Sequence, residues 1–411
     1  MTPSLNLLDP EVHEDPYAYY EELQRTARVF RVEPFGFHGV ARYDDVAFVL
    51  KNPDKFSSRA MSSMLGELNP VPDARVLIAT DPPVHTRLRS LVNRGFTPRS
   101  IAALEPRVRE IMQDVLDRLT PGLPFDVVAN VAIPLPVTVI AEMLGVPSED
   151  QQDFKRWSDD IVKAVDGVMT DAERGSIRTS ICEFQRYFSE ILERRRSEPA
   201  SDVLSTILRA EEEGMSLSDD DVLALSTLIL VAGNETTTSL IGNALIALSR
   251  HPGELEKVRA DPGLIPRLVE ETLRYDNPVQ CLFRQANEDV AVGDETVPAG
   301  AMVMPFFAAA NRDAEHFPDP HRFDVTRNAV GHFGFGFGAH FCLGAALARL
   351  EAKVALEALL PVLDPLEIIE PVERIDSVFL RGPKRLVLQL TGVSAYPHEP
   401  AMNRGPFKQI D

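Results

Sequence analysis

The chain has 411 residues, 44% hydrophobic and 25% charged, a balance that allows a large buried core and excludes a disordered or low-complexity protein. With 62 acidic against 42 basic side chains, its formal charge of −20 argues against non-specific nucleic-acid binding, which needs Lys and Arg to neutralise phosphates. Three cysteines, Cys182, Cys281 and Cys342, are too few for a disulfide framework and suit a reducing cytoplasm.

No repeat or linker divides the chain, so one domain is expected over 1–411, with 391–411 as a mobile tail. The first ten residues lack the basic and apolar segments of a signal peptide or membrane anchor, which predicts a cytoplasmic protein. Residues 11–27 carry Tyr, Leu and Ala at helical spacing. Residues 29–32 and 37–41, separated by Pro34 and Gly36, read as a hairpin, and 44–50 as a helix. Over 57–80 there is no firm periodicity: Met61, Met64, Leu65, Leu68 and Val76 are apolar without an evident core, and loops of that length are usually functional or disordered.

Asp81-Pro82-Pro83-Val84-His85-Thr86-Arg87-Leu88-Arg89 opens a helix with proline near its start and puts His85 and Arg89 on one face. Between 85 and 109 six arginines (87, 89, 94, 99, 107, 109) meet one acid, Glu105. That reversal of sign is readable as solvated helix surface or as a docking face for an acidic partner. Helical patterns continue over 101–118, 127–144, 149–165 and 172–196, with a break at Gly145-Val146-Pro147.

Ser216-Leu217-Ser218-Asp219-Asp220-Asp221 supplies a capping hydroxyl and first-turn acids. The pattern then runs to Arg250, where His251-Pro252-Gly253 stops it; 32 residues at 1.5 Å each span about 48 Å. Its apolar run from Val222 to Gly233 is interrupted by Ser226 and Thr227 and falls short of the roughly 18 residues a membrane helix needs. Midway lies Ala232-Gly233-Asn234-Glu235-Thr236-Thr237. Glycine costs a helix interior about 1 kcal/mol, and Thr236 can bond back to the Ala232 carbonyl and loosen the ladder. Either a close helix crossing or a proton-delivering notch would offset those costs.

A helix over 268–275 carries Glu271 and Arg274 three residues apart. Residues 295–303 read as two short strands around a Pro-x-Gly turn, and 379–383 as another turn. Next comes Phe333-Gly334-Phe335-Gly336-Phe337-Gly338-Ala339-His340-Phe341-Cys342-Leu343-Gly344, followed at once by a helical run from Ala345. Glycines 336, 338 and 344 permit tight bends and close approach to a flat ligand. At Cys342 the free amides and dipole of the next helix favour a thiolate. A lone cysteine is most often a small buried hydrophobe, and one cysteine cannot build a zinc site, but one axial thiolate suffices for haem iron.

The pattern Phe335-x-x-Gly338-x-His340-x-Cys342-x-Gly344 resembles the haem-binding loop of the cytochrome P450 superfamily, and the resemblance extends over about residues 10–390. It implies a mostly α fold with a small β-rich lobe, holding haem b (iron protoporphyrin IX) between the long central helix and the cysteine loop. By that resemblance Cys342 is the iron ligand, with Phe335 beside the sulfur and Gly338 and Gly344 shaping the loop. His340, His85, Arg89 and Arg284 reach the propionates. Ala232 makes room in the central helix, where Glu235 is the acid and Thr236 the alcohol of oxygen activation. Glu271, Arg274 and Arg322 form a buried ion network behind the loop. Met64, Leu65, Val76, Gln280, Cys281, Leu282, Phe379 and Leu380 are pocket candidates.

The implied reaction inserts one atom of O2 into a hydrophobic small molecule, by hydroxylation or epoxidation. Electrons come from NAD(P)H through ferredoxin and ferredoxin reductase. The enzyme would be a monomer with no nucleic-acid partner and no membrane anchor. The alternatives are a peroxide-driven oxygenase of the same fold, whose members lack the acid–alcohol pair, and a non-catalytic haem-thiolate sensor.

Overall fold

The computed structural model describes residues 3–63, 71, 73–147, 150–166, 169–200, 202–212 and 217–389. The tail at 391–411 and the pocket candidates Met64 and Leu65 lie outside the described residues. The long helix spans Asp219–Arg250. Its start is fixed by a reciprocal box: Ser218 Oγ accepts from the Asp221 N–H at 3.1 Å, and the Asp221 carboxylate accepts from the Ser218 N–H at 2.9 Å. Most of its length is buried, and helices Pro134–Met143, Gln151–Asp166, Ile265–Tyr275 and Ala345–Leu359 pack against it. Among the described residues no helix is long and apolar enough to cross a membrane.

Prolines reshape three of the expected helices. Residues 11–27 form two, Pro10–Glu14 and Tyr17–Thr26, with Pro16 between them. Residues 101–118 divide into Pro98–Ala102 and Glu105–Leu116, with Pro106 in the first turn of the second. Residues 127–144 open with a π turn at Val128–Ala132, closed by the Ile133 N–H on the Val128 carbonyl at 3.0 Å, before Pro134–Met143 begins.

The β-rich lobe is a six-stranded sheet in the order Ser4–Asn6, Phe30–Glu33, Phe37–Val40, Met302–Pro305, Arg284–Ala286, Phe56–Ser57. The expected hairpin is there, with Arg31 opposite His38. The strands flanking Pro298-Ala299-Gly300 do not pair with each other: Glu295–Val297 pairs with Val290–Val292, while Met302–Pro305 enters the large sheet. This sheet sets Arg284 in a buried central position beside Val303.

Behind the cysteine loop, Glu271 and Arg274 are completely buried and joined by two bonds of 2.8 Å. Arg274 Nη1 donates to the carbonyls of Asn311 and Pro320, and Nη2 to that of Arg322. The third cation differs from expectation. The Arg322 side chain is 60% exposed and lies beside Asp324. Arg327 reaches Glu271 Oε1 instead, at 3.2 Å. The chain reverses after Asp319, which has φ 49°, so that the Arg322 carbonyl points inward and its side chain outward. Five residues later Arg327 returns, donating also to the Pro318 and Asp319 carbonyls. Asn311 carries the network to the cysteine loop: its amide donates to the Leu273 carbonyl, and its Oδ1 accepts from the Phe333 N–H.

Removing one partner of a buried pair leaves an uncompensated charge, so Glu271→Ala or Arg274→Ala is expected to cost on the order of 3–5 kcal/mol. Arg322→Ala keeps its carbonyl and is expected to stay within about 0.5 kcal/mol of wild type. Arg327→Ala should fall between them. Denaturant unfolding of the four variants measures this order, and equal losses for Arg322→Ala and Arg327→Ala would reject it.

Candidate active site

The cysteine loop closes on itself through the Cys342 N–H to the Phe335 carbonyl and the Gly336 N–H to the Phe333 carbonyl, both 2.8 Å. Gly338 has φ +71°, and a Cβ there would stand 2.7 Å from the Leu50 carbonyl oxygen, so the position admits only glycine. The Phe335 ring packs under the Arg349 guanidinium, 4.4 Å away, and Arg349 is held in turn by two bonds to Glu270. Gly344 caps the helix Ala345–Leu359, which places Cys342 at that helix's start, as expected. Burial nevertheless raises the Cys342 thiol, against the opposing pull of the Gly344 and Ala345 amides and of Arg89 and Arg349. The helix terminus thus pulls toward the thiolate and burial pulls against it; a ligating metal would favour the thiolate further, because a coordinated thiol gives up its proton.

A cavity of about 420 Å³ lies between Cys342 and the central helix, whose Ala232, Gly233, Thr236 and Thr237 line its far wall. Thr236 Oγ1 donates to the Ala232 carbonyl at 2.8 Å, the bond anticipated from sequence. Gly233 has a packing reason: a Cβ there would meet Ile140 at 2.7 Å, so glycine lets Pro134–Met143 approach.

Four basic side chains converge on one edge of this cavity: His85, Arg89, Arg284 and His340. The His85 and His340 rings are 4.2 Å apart, and the buried His85 Nε2 has no partner among the described groups. Burial pushes Arg284 down to about 10, with Asp81 opposing. Arg284 Nη1 donates to the Phe283 carbonyl at 2.8 Å and approaches Met61 Sδ at 3.4 Å; it makes no ion pair among the described residues. Burial, followed by Arg284, His85 and Arg89, lowers His340 to about 3, and its Nε2 lies 3.0 Å from Ser58 Oγ. Four basic groups gathered at one edge, with Asp81 acting on His85 and Arg284 but no ion pair made to Arg284 among the described residues, suit a ligand that brings negative charge of its own. A soft sulfur below, carbon walls around and a cationic rim at one edge together fit haem b and its two propionates.

The anticipated pocket residues Val76, Leu282, Phe379 and Leu380 line the cavity, as do Phe335 and Gly344. Gln280 and Cys281 do not. Gln280 Oε1 accepts from the Tyr20 hydroxyl, and its Nε2 donates to the Asn277 carbonyl. Cys281 is fully buried on the other side, beside Val378 and in a cluster with Leu5, Phe30 and Phe306. Bridges from Val279 to Leu380 and from Cys281 to Phe306 fix the path of this segment, so that Val279, which was not anticipated, faces the cavity along with Leu282. Glu235 stands outside the lining, 3.6 Å from Lys155 Nζ on the helix Gln151–Asp166. Burial raises its carboxyl; Lys155 opposes this and Asp159 adds to it.

Sequence reasoning missed Glu351. It lies fully buried in the cavity wall, with Oε1 unpartnered among the described groups; burial pushes its carboxyl up to about 8, against a hydrogen bond from Thr237. Its signal was an acid directly flanked by Leu350 and Ala352 on a helix whose other charges, Arg349 and Lys353, fall two residues to either side.

Cys182 is exposed and Cys281 faces away from the cavity, so Cys342 is the cysteine that lines it among the described residues. Cys342→Ser is expected to abolish the red-shifted Soret band that thiolate ligation gives the ferrous–CO complex, while Cys182→Ser and Cys281→Ser keep it. Absorption spectra of the reduced, CO-treated proteins decide, and loss of the band in Cys281→Ser alone would overturn the assignment.

The family model for cytochrome P450 matches residues 4–262 and 263–388. The Vitamin D(3) 25-hydroxylase of Pseudonocardia autotrophica is 42% identical over 331 residues, covering 79% of this chain and 80% of its own. Among solved structures, cytochrome P450 CYP109Q5 from Chondromyces apiculatus is 44% identical, with 96% of this chain and 100% of its own covered at a TM-score of 0.84. CYP109E1 from Bacillus megaterium, determined in complex with testosterone, is 37% identical over 92% of this chain and 99% of its own, with a TM-score of 0.83. Agreement of this extent, along nearly the whole chain, means that the protein belongs to the cytochrome P450 family of haem b monooxygenases.

Proposed function

We propose that this monooxygenase hydroxylates or epoxidises a rigid apolar molecule of the steroid kind, as a cytoplasmic monomer supplied with electrons by a ferredoxin and its NAD(P)H-dependent reductase. The observation that carries the substrate class is the cavity wall. Away from the basic edge it is built from Val76, Leu228, Ile229, Leu282, Phe379 and Leu380, which offer apolar surface. The testosterone in CYP109E1 and the substrate in the name of the Pseudonocardia relative are of the same apolar kind. Titrating the ferric enzyme with testosterone, then assaying for oxygenated product with NAD(P)H, ferredoxin and reductase, tests this. Failure of both would exclude the class.

Bound in the cavity, haem b supplies reductive activation of dioxygen and transfer of one oxygen atom. Cys342 would hold it by its iron, and His85, Arg89, Arg284 and His340 would orient it through its carboxylates. The apolar wall keeps bulk water from the reacting carbon. Thr236 spends its own proton on the Ala232 carbonyl, which leaves its lone pairs free to accept from a water in the cavity. Glu235 stands behind it, with a carboxyl raised by burial and therefore able to hold a proton closer to neutrality. Asp159, about half exposed and paired with Lys155, connects that carboxyl to solvent. Protons thus have a route from the Asp159 side through Glu235 to the water held at Thr236.

Electron entry is proposed on the face around Arg87 and Arg99. Both are exposed and have no acidic partner among the described residues, and the helix Pro98–Ala102 packs on the helix that follows Cys342. Arg107 and Arg109, counted in the same basic run, are committed elsewhere: Arg107 to Glu110 and Glu142, and Arg109 to Glu105 and Glu357.

Thr236→Ala is expected to keep haem and substrate binding and NAD(P)H consumption but to lose most product, releasing hydrogen peroxide instead, whereas Thr236→Ser stays close to wild type. Product formed per NAD(P)H, with peroxide assayed in parallel, measures it. A fully coupled Thr236→Ala variant would refute the role, and product from peroxide without partner proteins would favour the peroxide-driven alternative.

For electron supply, Arg99→Glu should raise the apparent Michaelis constant for an acidic ferredoxin several-fold, and added salt should slow reduction of the wild type as it screens the attraction. Reduction rates that ignore both changes would move the docking face elsewhere.

A further inference from the structure

Asp221 does two jobs that the capping box alone does not require. Besides closing the box with Ser218, its carboxylate accepts from the Arg75 N–H at 2.8 Å and from Arg75 Nε at 3.0 and 3.1 Å, and it pairs closely with Arg75 Nη2. The Asp221 side chain is 3% exposed and that of Arg75 39%. Burial works against the charge on Asp221, yet the bonds from Arg75 and Ser218 hold its carboxyl at about 2.

Arg75 sits in the segment whose next four residues, Val76, Leu77, Ile78 and Ala79, form one wall of the cavity. The backbone bonds within that stretch are short-range, Ala74 N–H to Val71 and Ala79 N–H to Val76. Asp221 lies on the cavity stripe of the central helix: Leu225, Leu228, Ala232 and Thr236 follow it at 4, 7, 11 and 15 residues, and all four line the cavity. Fifteen residues place the ion pair roughly 22 Å along the helix from Thr236, at the far end of the same stripe.

We infer that Arg75 is a positioning residue for substrate: by clamping Asp221 with both backbone and guanidinium, it holds the wall at 76–79 against the central helix and so governs how readily a bulky molecule enters and leaves. The inference rests on the reading of this cavity as the substrate site. Chemistry at Thr236 is left untouched, so the clamp acts on exchange and apparent affinity rather than on the rate of the oxidation itself. Because Arg75 is partly exposed, the clamp weakens as salt screens it.

Two measurements test it on the holoenzyme. In the first, clotrimazole and imidazole serve as a bulky and a small azole whose arrival at the iron is read from the Soret shift after rapid mixing. Arg75→Gln is expected to raise the association and dissociation rates of clotrimazole about tenfold and to leave those of imidazole unchanged, with Arg75→Lys restoring part of the difference. Salt should accelerate clotrimazole exchange in the wild type but not in Arg75→Gln.

Ser218→Ala removes the helix cap but keeps the clamp. It should lower the melting temperature without changing azole kinetics, which separates gating from general loosening. The second measurement needs no ligand: amide hydrogen exchange over 73–80 should quicken about tenfold in Arg75→Gln. Wild-type exchange there, or equal acceleration for both azoles, would overturn the inference. If neither azole bound the wild type, the substrate-site reading would fall while amide exchange still decided the clamp.

Discussion

A carboxylate and a guanidinium with no access to water, Glu271 and Arg274, hold the frame on which this site is assembled. Taking such a pair out of water costs several kcal/mol per ion, so its value lies less in net stability than in what it forbids. Every remaining donor of Arg274 is used on a carbonyl, at Asn311, Pro320 and Arg322, and Glu271 accepts in addition from the Asp324 N–H and from Arg327. Any other path for residues 311–327 would strand a buried charge. Because Asn311 also binds Phe333, the constraint passes to the start of the cysteine loop. The loop then needs only local devices, a positive-φ glycine at 338 and Arg349 over Phe335, to present Cys342 to the cavity.

The same economy does not apply at the cavity edge. There His85, Arg89, Arg284 and His340 are brought close, with Asp81 opposing the shift of His85 and Arg284, and burial depresses all four. Such a cluster costs stability unless a ligand brings negative charge of its own, which is what the haem carboxylates would supply in the proposed site. Binding would then return that energy and couple retention of the cofactor to the integrity of the protein.

Carboxyls around the central helix show the opposite arrangement. Glu235 and Glu351 are both raised, first by burial, but they stand in different places: Glu235 behind the helix, where Lys155 and Asp159 lead outward, and Glu351 in the wall beneath Thr237. Asp221, on the same helix as Glu235, is lowered because Arg75 and Ser218 bond its charged form. One helix thus carries one carboxyl shifted toward its protonated form and another shifted toward its charged form, and surroundings rather than residue type decide which.

Elements written in contiguous residues were legible from the sequence. The capped 32-residue helix, its Gly-Asn-Glu-Thr notch, the Phe30–Val40 hairpin and the glycine-bounded cysteine loop follow from capping, periodicity and backbone freedom, all of which act over a few residues. Family resemblance further pointed to the basic residues at 85, 89, 284 and 340, which the fold gathers from three separate segments. What stayed hidden depended on the path of the chain between distant segments. Arg327 rather than Arg322 completes the ion network because a reversal at Asp319 turns one side chain out and brings the other back. Val279 joins the anticipated Leu282 at the cavity, and Gln280 and Cys281 do not, because bridges to Leu380 and Phe306 choose the side. Arg75 finds Asp221 across 146 residues. Periodicity says which residues share a face; only packing against the rest of the chain says what that face meets.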